Sequence, residues 1–398
     1  MNPALTLHIP PPLDPAWLAH EKSSNLLVLA PALTSSHERQ QAYAFECRAL
    51  NAELLSGRDK YLTEGIKIHD TRIEANPGSS TPVFTPIRSY TPIATPSKPP
   101  VQPPATSSKS DKVKPNPINE EPVSIVIYYH GGGLYVGDLD SEDLTCRRIC
   151  KELHCTVYSV QYRLMPEFSA STALFDALAA FCAITGSRKA SKLIVMGSSS
   201  GGQLAAQVSQ HFRTTNRGLY GRTRIHGVLL RGPVTCDATE GGVSLPSRFR
   251  KCHTSMSEPF HTSLLSGAAV NSQNRTKEAL PLEAGDLSGM PRHWIQVSTN
   301  DVYYSDGVCY AEALRYAGVD VKLDVVVGWP HTFWLKAPLL ERAVQAEMDM
   351  IEGLRWLIES ARDDGEEEER QRSNARHDEN GEFVPFSDEE FERKFMNV

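Results

Sequence analysis

From Ser124 to Glu359 the chain alternates two kinds of segment, and this alternation restricts its fold more than any other feature. Six runs rich in β-branched and aliphatic residues (SIVIYYH, CTVYSVQY, KLIVMGS, IHGVLLR, HWIQVST and VKLDVVV) are separated by helical stretches such as SEDLTCRRICKEL, ALFDALAAFCAI and DGVCYAEALRYAG. Strands with so few polar positions need cover on both faces, and the intervening amphipathic helices supply it; the pattern is that of a parallel sheet between helical layers. Upstream, IKIHDTRI and VFTPIRSY read as two short strands joined at Asn76-Pro77-Gly78. The predicted class is α/β, with an eight-stranded, mostly parallel sheet.

The remaining segments set the expected boundaries. Residues 1–62 mix apolar and charged positions at helical spacing and read as an N-terminal helical segment ahead of a domain spanning 63–362. Within that domain, 91–122 is rich in Pro, Ser, Thr and Lys; it holds too little apolar surface to offset the entropy of ordering and reads as a disordered insertion. Strand alternation stops over 237–286, which leaves room for a second insertion above the sheet. Residues 363–398 begin with DDGEEEERQR and read as a charged, disordered tail.

Composition excludes several functions. The 398 residues are 40% hydrophobic and carry a formal net charge of -7, which offers no basic field for nucleic acid. Eight cysteines lie in apolar or helical stretches with no CxxC pair and no histidine at zinc-finger spacing, so no metal is expected. The N-terminus lacks a basic start and is interrupted by Pro10, Pro11 and Pro12; with no apolar run of about 20 residues, no membrane span is expected, and the predicted location is cytoplasmic. The sequon at Asn274 is read as unused.

The chemistry-bearing residues stand at the ends of the buried strands. LIVMG runs into Ser198-Ser199-Ser200-Gly201-Gly202 and then a helix, which puts Gly197-x-Ser199-x-Gly201 on a strand-to-helix turn. Only Ser199 of the three serines has glycine both two before and two after it, which makes it the candidate nucleophile, with Gly197 and Gly201 as its structural flanks. SIVIYY ends in His130-Gly131-Gly132-Gly133, and a triple glycine there lets backbone N–H groups approach a ligand without side chains between. Gly132, Gly133 and Ser200 are the candidate oxyanion donors. His130 and Gly131 are read as structural supports of that loop.

Two further strands end in Asp301 and in Gly328-Trp329-Pro330-His331. A serine hydroxyl attacks an ester only when a base takes its proton; His331 is the candidate base, and Asp301 the carboxylate that fixes its tautomer. The order Ser, Asp, His is the one an α/β sheet of this kind uses. Leu134, Tyr135, Tyr303, Trp329 and Phe333 are expected to line a substrate pocket.

Together these segments resemble the hormone-sensitive-lipase-like branch of the α/β-hydrolases, which includes bacterial and fungal carboxylesterases and arylacetamide-deacetylase-like enzymes. The resemblance covers roughly Tyr61 to Glu359. It rests on YYHGGGLYVGDLDSEDLTCRRI, on YRLMPE at Tyr162 to Glu167 against the family's YRLAPE, on MGSSSGG against GDSAGG, and on NDVYYSD and GWPHTF. It implies an α/β-hydrolase fold with a helical cap built from the N-terminal segment and the second insertion, and a supporting role for Glu167. Two departures stand out: Ser198 replaces an acidic residue, which removes a charge beside the nucleophile, and Val302-Tyr303-Tyr304 replaces Pro-Leu-Arg.

The function expected is cofactor-free hydrolysis of a small-molecule carboxylic ester with a short acyl chain or a small aromatic or polyketide-like alcohol, by a monomer or homodimer. The alternatives are an acyltransferase or cyclase with the same residues, and a non-catalytic receptor on the same fold, against which the presence of His331 argues.

Overall fold

The computed structural model describes residues 3–27, 35–76, 82–93, 124–187, 190–213, 224–237, 245–262 and 279–372, with side chains described as far as 359. Most of the 91–122 insertion, much of 237–286, the sequon at Asn274 and residues 373–398 lie outside them.

Two antiparallel strands open the sheet, β1 (Ile66–Glu74) and β2 (Phe84–Pro92). Six follow: β3 (Ile125–Tyr129), β4 (Thr156–Val160), β5 (Leu193–Ser198), β6 (Gly227–Arg231), β7 (Arg292–Asn300) and β8 (Val321–Pro330). Their order is β1-β2-β4-β3-β5-β6-β7-β8; β2 pairs antiparallel with β4, and every pairing from β4 to β8 is parallel. β2 runs to Pro92, so the chain leaves the sheet two residues later than the composition shift at Thr91 suggested.

Eight α-helices are described: α1 (Pro15–Ser23), α2 (Ser36–Ser56), α3 (Asp143–Leu153), α4 (Ala170–Ser187), α5 (Ser200–His211), α6 (Tyr304–Tyr316), α7 (Phe333–Lys336) and α8 (Glu341–Arg372). The two-residue side-chain period of a strand divides the core between the faces of the sheet. Ile125, Ile127 and Tyr129 of β3, with Leu193 and Val195 of β5, pack against α4, α5 and α6. Val126, Tyr128, Ile194 and Met196 face the other way, against Cys146, Ile149 and Cys150 of α3 and Met350, Leu354 and Leu357 of α8.

Among the described helices, α4 passes a length-and-composition test for crossing a membrane, at 18 residues and with Asp176 in its middle. Here its Ala173, Leu174, Ala177, Phe181 and Ile184 fill the core. α8 continues to Arg372, past Arg362, where the charged tail was expected to begin. Glu, Arg and Gln are all good helix formers, so the acidic run continues the helix that precedes it.

Candidate active site

Ser199 sits between β5 and α5 with φ 52° and ψ -122°, a region that non-glycine residues seldom occupy. Its N–H donates to the carbonyl of Arg231 (2.9 Å), and its own carbonyl accepts from Gln203 (3.2 Å), so the turn is fixed on both sides. The flanking glycines are sterically required. A Cβ on Gly201 would lie 2.1 Å from the carbonyl oxygen of Tyr129, and one on Gly197 would lie 2.3 Å from that of Gly201.

β8 ends at Pro330, which places His331 at the carboxyl edge of the sheet beside Asp301 at the end of β7. His331 Nε2 is 2.9 Å from Ser199 Oγ, and His331 Nδ1 is 2.7 Å from Asp301 Oδ2. The other oxygen of Asp301 accepts the Tyr303 N–H (2.9 Å). With Nδ1–H donating to Asp301, Nε2 is left to accept the Ser199 hydroxyl, the tautomer a general base needs. Ser199, Asp301 and His331 are 6%, 1% and 5% exposed, so little water competes for these bonds.

The glycine loop lies directly on this turn. A Cβ on Gly131 would be 3.4 Å from Ser199 Cβ. Gly132 and Gly133 take φ 117° and 66°, and the Gly132 carbonyl accepts from Tyr135 and Val136 (3.1 Å each), which closes a tight turn. Ser200 Oγ accepts the Leu134 N–H at 3.2 Å and ties the loop to the start of α5. His130 is buried and stacks on Tyr162 (4.3 Å between centroids), with Nδ1 at 2.7 Å from the Gly131 carbonyl. Burial holds its imidazole pKa below the ordinary value, so it is neutral at pH 7.

Three sequence expectations need correction. Glu167 is exposed and makes no hydrogen bond among the described residues; it follows Pro166 in a surface turn, while Arg163 anchors that segment to Asp176 (2.8 Å). Trp329 and Phe333 do not form an open pocket wall; they pack in a closed cluster with Trp17, Val326 and Trp334, because the end of β8 and the start of α7 face Trp17 of α1. Leu134 is fully buried in the main core. Tyr303 does reach the site, with its ring 5.1 Å from the His331 imidazole, and Tyr135 is half-buried beneath α2, where its carbonyl accepts from Gln40 at 3.0 Å.

Several supporting residues carried no sequence signal. Glu142, 4% exposed, accepts from Ser198 Oγ (2.5 Å), from the Gly131 N–H (2.8 Å) and from Tyr128 Oη. The charge missing at Ser198 is therefore supplied from the start of α3. At the end of β6, Arg231 is fully buried: it donates to Gln296 (2.9 Å) and Glu347 (2.6 Å) and stacks on Trp334 (3.9 Å). Glu347 also accepts from Arg148 (2.6 Å), which reaches Asp59 (3.3 Å) below α2.

The N-terminal residues are bonded to the same edge. Asn300 Nδ2 donates to the Pro11 carbonyl (2.7 Å), the Asp14 N–H to that of Gly328 (2.8 Å), and Tyr304 Oη to that of Leu5 (3.1 Å). On the opposite flank Asp306 accepts from His253 (2.9 Å) and from the N–H groups of Thr235 and Cys236 (2.7 and 3.1 Å). Cys236, His253 and Asp306 are residue types that bind metals, and their ligand atoms converge within 4.8 Å of one another. Hydrogen bonding accounts for the arrangement, which pins the second insertion to α6.

A family profile for the alpha/beta hydrolase fold matches residues 126–335. Among curated proteins the chain is 31% identical to FAD-linked oxidoreductase pytB of Aspergillus terreus over 59% of its own length and 29% of that protein. It is 33% identical to carboxylic ester hydrolase LipN of Mycobacterium tuberculosis (52% and 57% of the two chains) and 29% identical to versiconal hemiacetal acetate esterase stcI of Emericella nidulans (59% and 83%). The chain thus spans less than two thirds of the length of the first two. Among solved structures, vibralactone cyclase superposes with a TM-score of 0.70 at 21% identity, covering 89% of this chain and 97% of that one, a likeness of fold.

Proposed function

The chain belongs to the α/β-hydrolase fold family, in its hormone-sensitive-lipase-like branch, and on that premise we propose that it is a serine hydrolase that cleaves carboxylic esters through an acyl-enzyme. The observation that carries this reading is the continuous series Asp301–His331–Ser199, with bonds of 2.7 and 2.9 Å, beside a glycine loop. Ser199 Oγ attacks the ester carbonyl as His331 Nε2 takes its proton. The tetrahedral oxyanion is held by the backbone N–H groups of Gly132, Gly133 and Ser200, each worth about 3 kcal/mol in such a transition state. Collapse expels the alcohol, which leaves with the proton from His331. A water, deprotonated by His331, then releases the carboxylic acid and restores the serine.

We assign it esters of short acyl chains with a small aromatic or polyketide-like alcohol. Ser199 and His331 are nearly closed from solvent, and the Tyr303 ring stands 5.1 Å from that of the base, which narrows the approach to the serine and favours a small acyl group. The relative from Emericella nidulans is an esterase of an acetate ester, which favours hydrolysis of a short acyl group over cyclisation or transfer.

The test is reaction with a fluorophosphonate, followed by turnover of p-nitrophenyl acetate, butyrate and decanoate. Labelling of the wild type and its loss in Ser199→Ala, with an unchanged thermal midpoint, are expected. So is a kcat/KM roughly tenfold or more lower for decanoate than for butyrate, since extra methylenes without a pocket earn no binding. A folded wild type that does not label removes the enzyme assignment, and a maximum at decanoate removes the short-chain one.

A further inference from the structure

Glu142 is a buried carboxylate whose three hydrogen-bond donors come from three separate pieces of the site. Tyr128 belongs to β3, Gly131 begins the glycine loop, and Ser198 ends β5 immediately before Ser199. A single oxygen, Oε1, takes both the Gly131 N–H and the Ser198 hydroxyl. Among the described residues no cation forms an ion pair with Glu142, so neutral donors alone offset the cost of burying it. An isolated carboxylate is an expensive way to stabilise a core, and residues of similar size without charge would pack there at lower cost.

What the carboxylate does provide is a fixed separation. The glycine loop and the serine turn are independent segments that meet face to face: a Cβ on Gly131 would lie 3.3 Å from Ser198 Oγ and 3.4 Å from Ser199 Cβ. Nothing in the backbone pairing sets their spacing, because β3 and β5 pair only as far as Tyr129 and Gly197. Beyond that point Ser200 Oγ holds the far end of the loop at Leu134, and Glu142 ties the near end, at Gly131, to the residue before the nucleophile. The distance it sets is the one between the oxyanion donors and the nucleophile.

We propose that Glu142 is a positioning residue for the ester hydrolysis described above: it holds the glycine loop at the spacing from Ser199 that the tetrahedral intermediate requires, and so acts on kcat and not on KM. The inference rests on the serine-hydrolase reading. It also accounts for Ser198, whose hydroxyl is the donor through which the carboxylate grips the turn.

The test compares the full-length wild type with Glu142→Gln, Glu142→Ala and Ser198→Ala. Fluorophosphonate titration counts active sites, and kcat per titrated site and KM are then measured on p-nitrophenyl butyrate. Affinity is also measured for butylboronic acid, which forms a tetrahedral adduct on serine. Glutamine retains one carbonyl oxygen for the Gly131 N–H and should lower kcat per site about tenfold; alanine retains none and should lower it about 100-fold, the scale of a misplacement near 1 Å. Boronate affinity should fall by the same factors while KM stays within about threefold. A role confined to stability would lower the thermal midpoint or the titratable fraction and leave kcat per site unchanged, and that result overturns the proposal. If the alanine variant does not fold, an unchanged kcat per site in the glutamine and Ser198→Ala variants overturns it equally. A wild type that neither labels nor turns over defeats the hydrolase reading itself, and this one with it.

Discussion

At Ser199 a backbone strain of about 1–3 kcal/mol is retained because the residues around it leave no alternative. Gly201 sits against the Tyr129 carbonyl, and the Ser199 N–H is held by Arg231. The side chains that meet there were legible in the sequence because each follows directly on a buried strand, and strand ends on one edge of a parallel sheet converge. Glu142 was not legible. It stands in the acidic run DLDSED, which reads as the solvated start of a helix, and only the folded chain brings it beneath the glycine loop. Glu167 misled for the converse reason: its neighbours match a family motif, yet its own side chain points to water. Asp301 supports the sharpest prediction at this scale. Asp301→Asn preserves the shape of the site but presents its amide to His331 Nδ1, favours the wrong tautomer and should lower kcat by ~10⁴. Turnover measured beside a thermal melt checks this, and a loss below about tenfold would remove Asp301 from the mechanism.

Between elements, the chief surprise is a charged interior. β6 ends in an arginine, and Arg231 has no exposed surface and meets Glu347 of α8, which also holds Arg148 of α3. A periodicity argument sees apolar positions and cannot find a polar pair that meets across 116 residues of chain. Burial alone would raise the Glu347 pKa, but the Arg231 and Arg148 guanidiniums outweigh it and hold the carboxyl below its ordinary value of 4.5. Glu347→Ala leaves Arg231 buried without a carboxylate, and a loss of about 3–5 kcal/mol is expected from denaturant melts. The pH dependence follows from the same shift. A carboxyl whose folded value lies below its unfolded one contributes its full stability above pH 4.5 and loses it as the pH falls through the folded value. Wild type should therefore lose thermal stability below pH 4.5 more steeply than Glu347→Gln; parallel curves would exclude the carboxylate as the cause. α8 likewise runs past Arg362 to Arg372, because charge alone does not end a helix whose next residues are good helix formers.

For the molecule as a whole, the alternation of strands and helices was enough to give a sheet with two cores, since side chains on opposite faces of each strand feed different clusters. What alternation could not give is how residues 3–23 attach, because proline-rich and short helical segments carry no pairing information. They lie across the ends of β7 and β8, with Pro11 bonded to Asn300, the neighbour of Asp301, and Asp14 to Gly328, three residues before His331. Residues 3–14 are in effect a wedge under the acid and the base. Trimming residues 1–14 should therefore cost activity out of proportion to the surface removed, leaving a chain that melts cooperatively yet turns over slowly. Full kcat in such a trimmed chain would show the wedge to be idle. A fusion partner placed directly ahead of that wedge would pull on the backbone that seats Asp301 and His331.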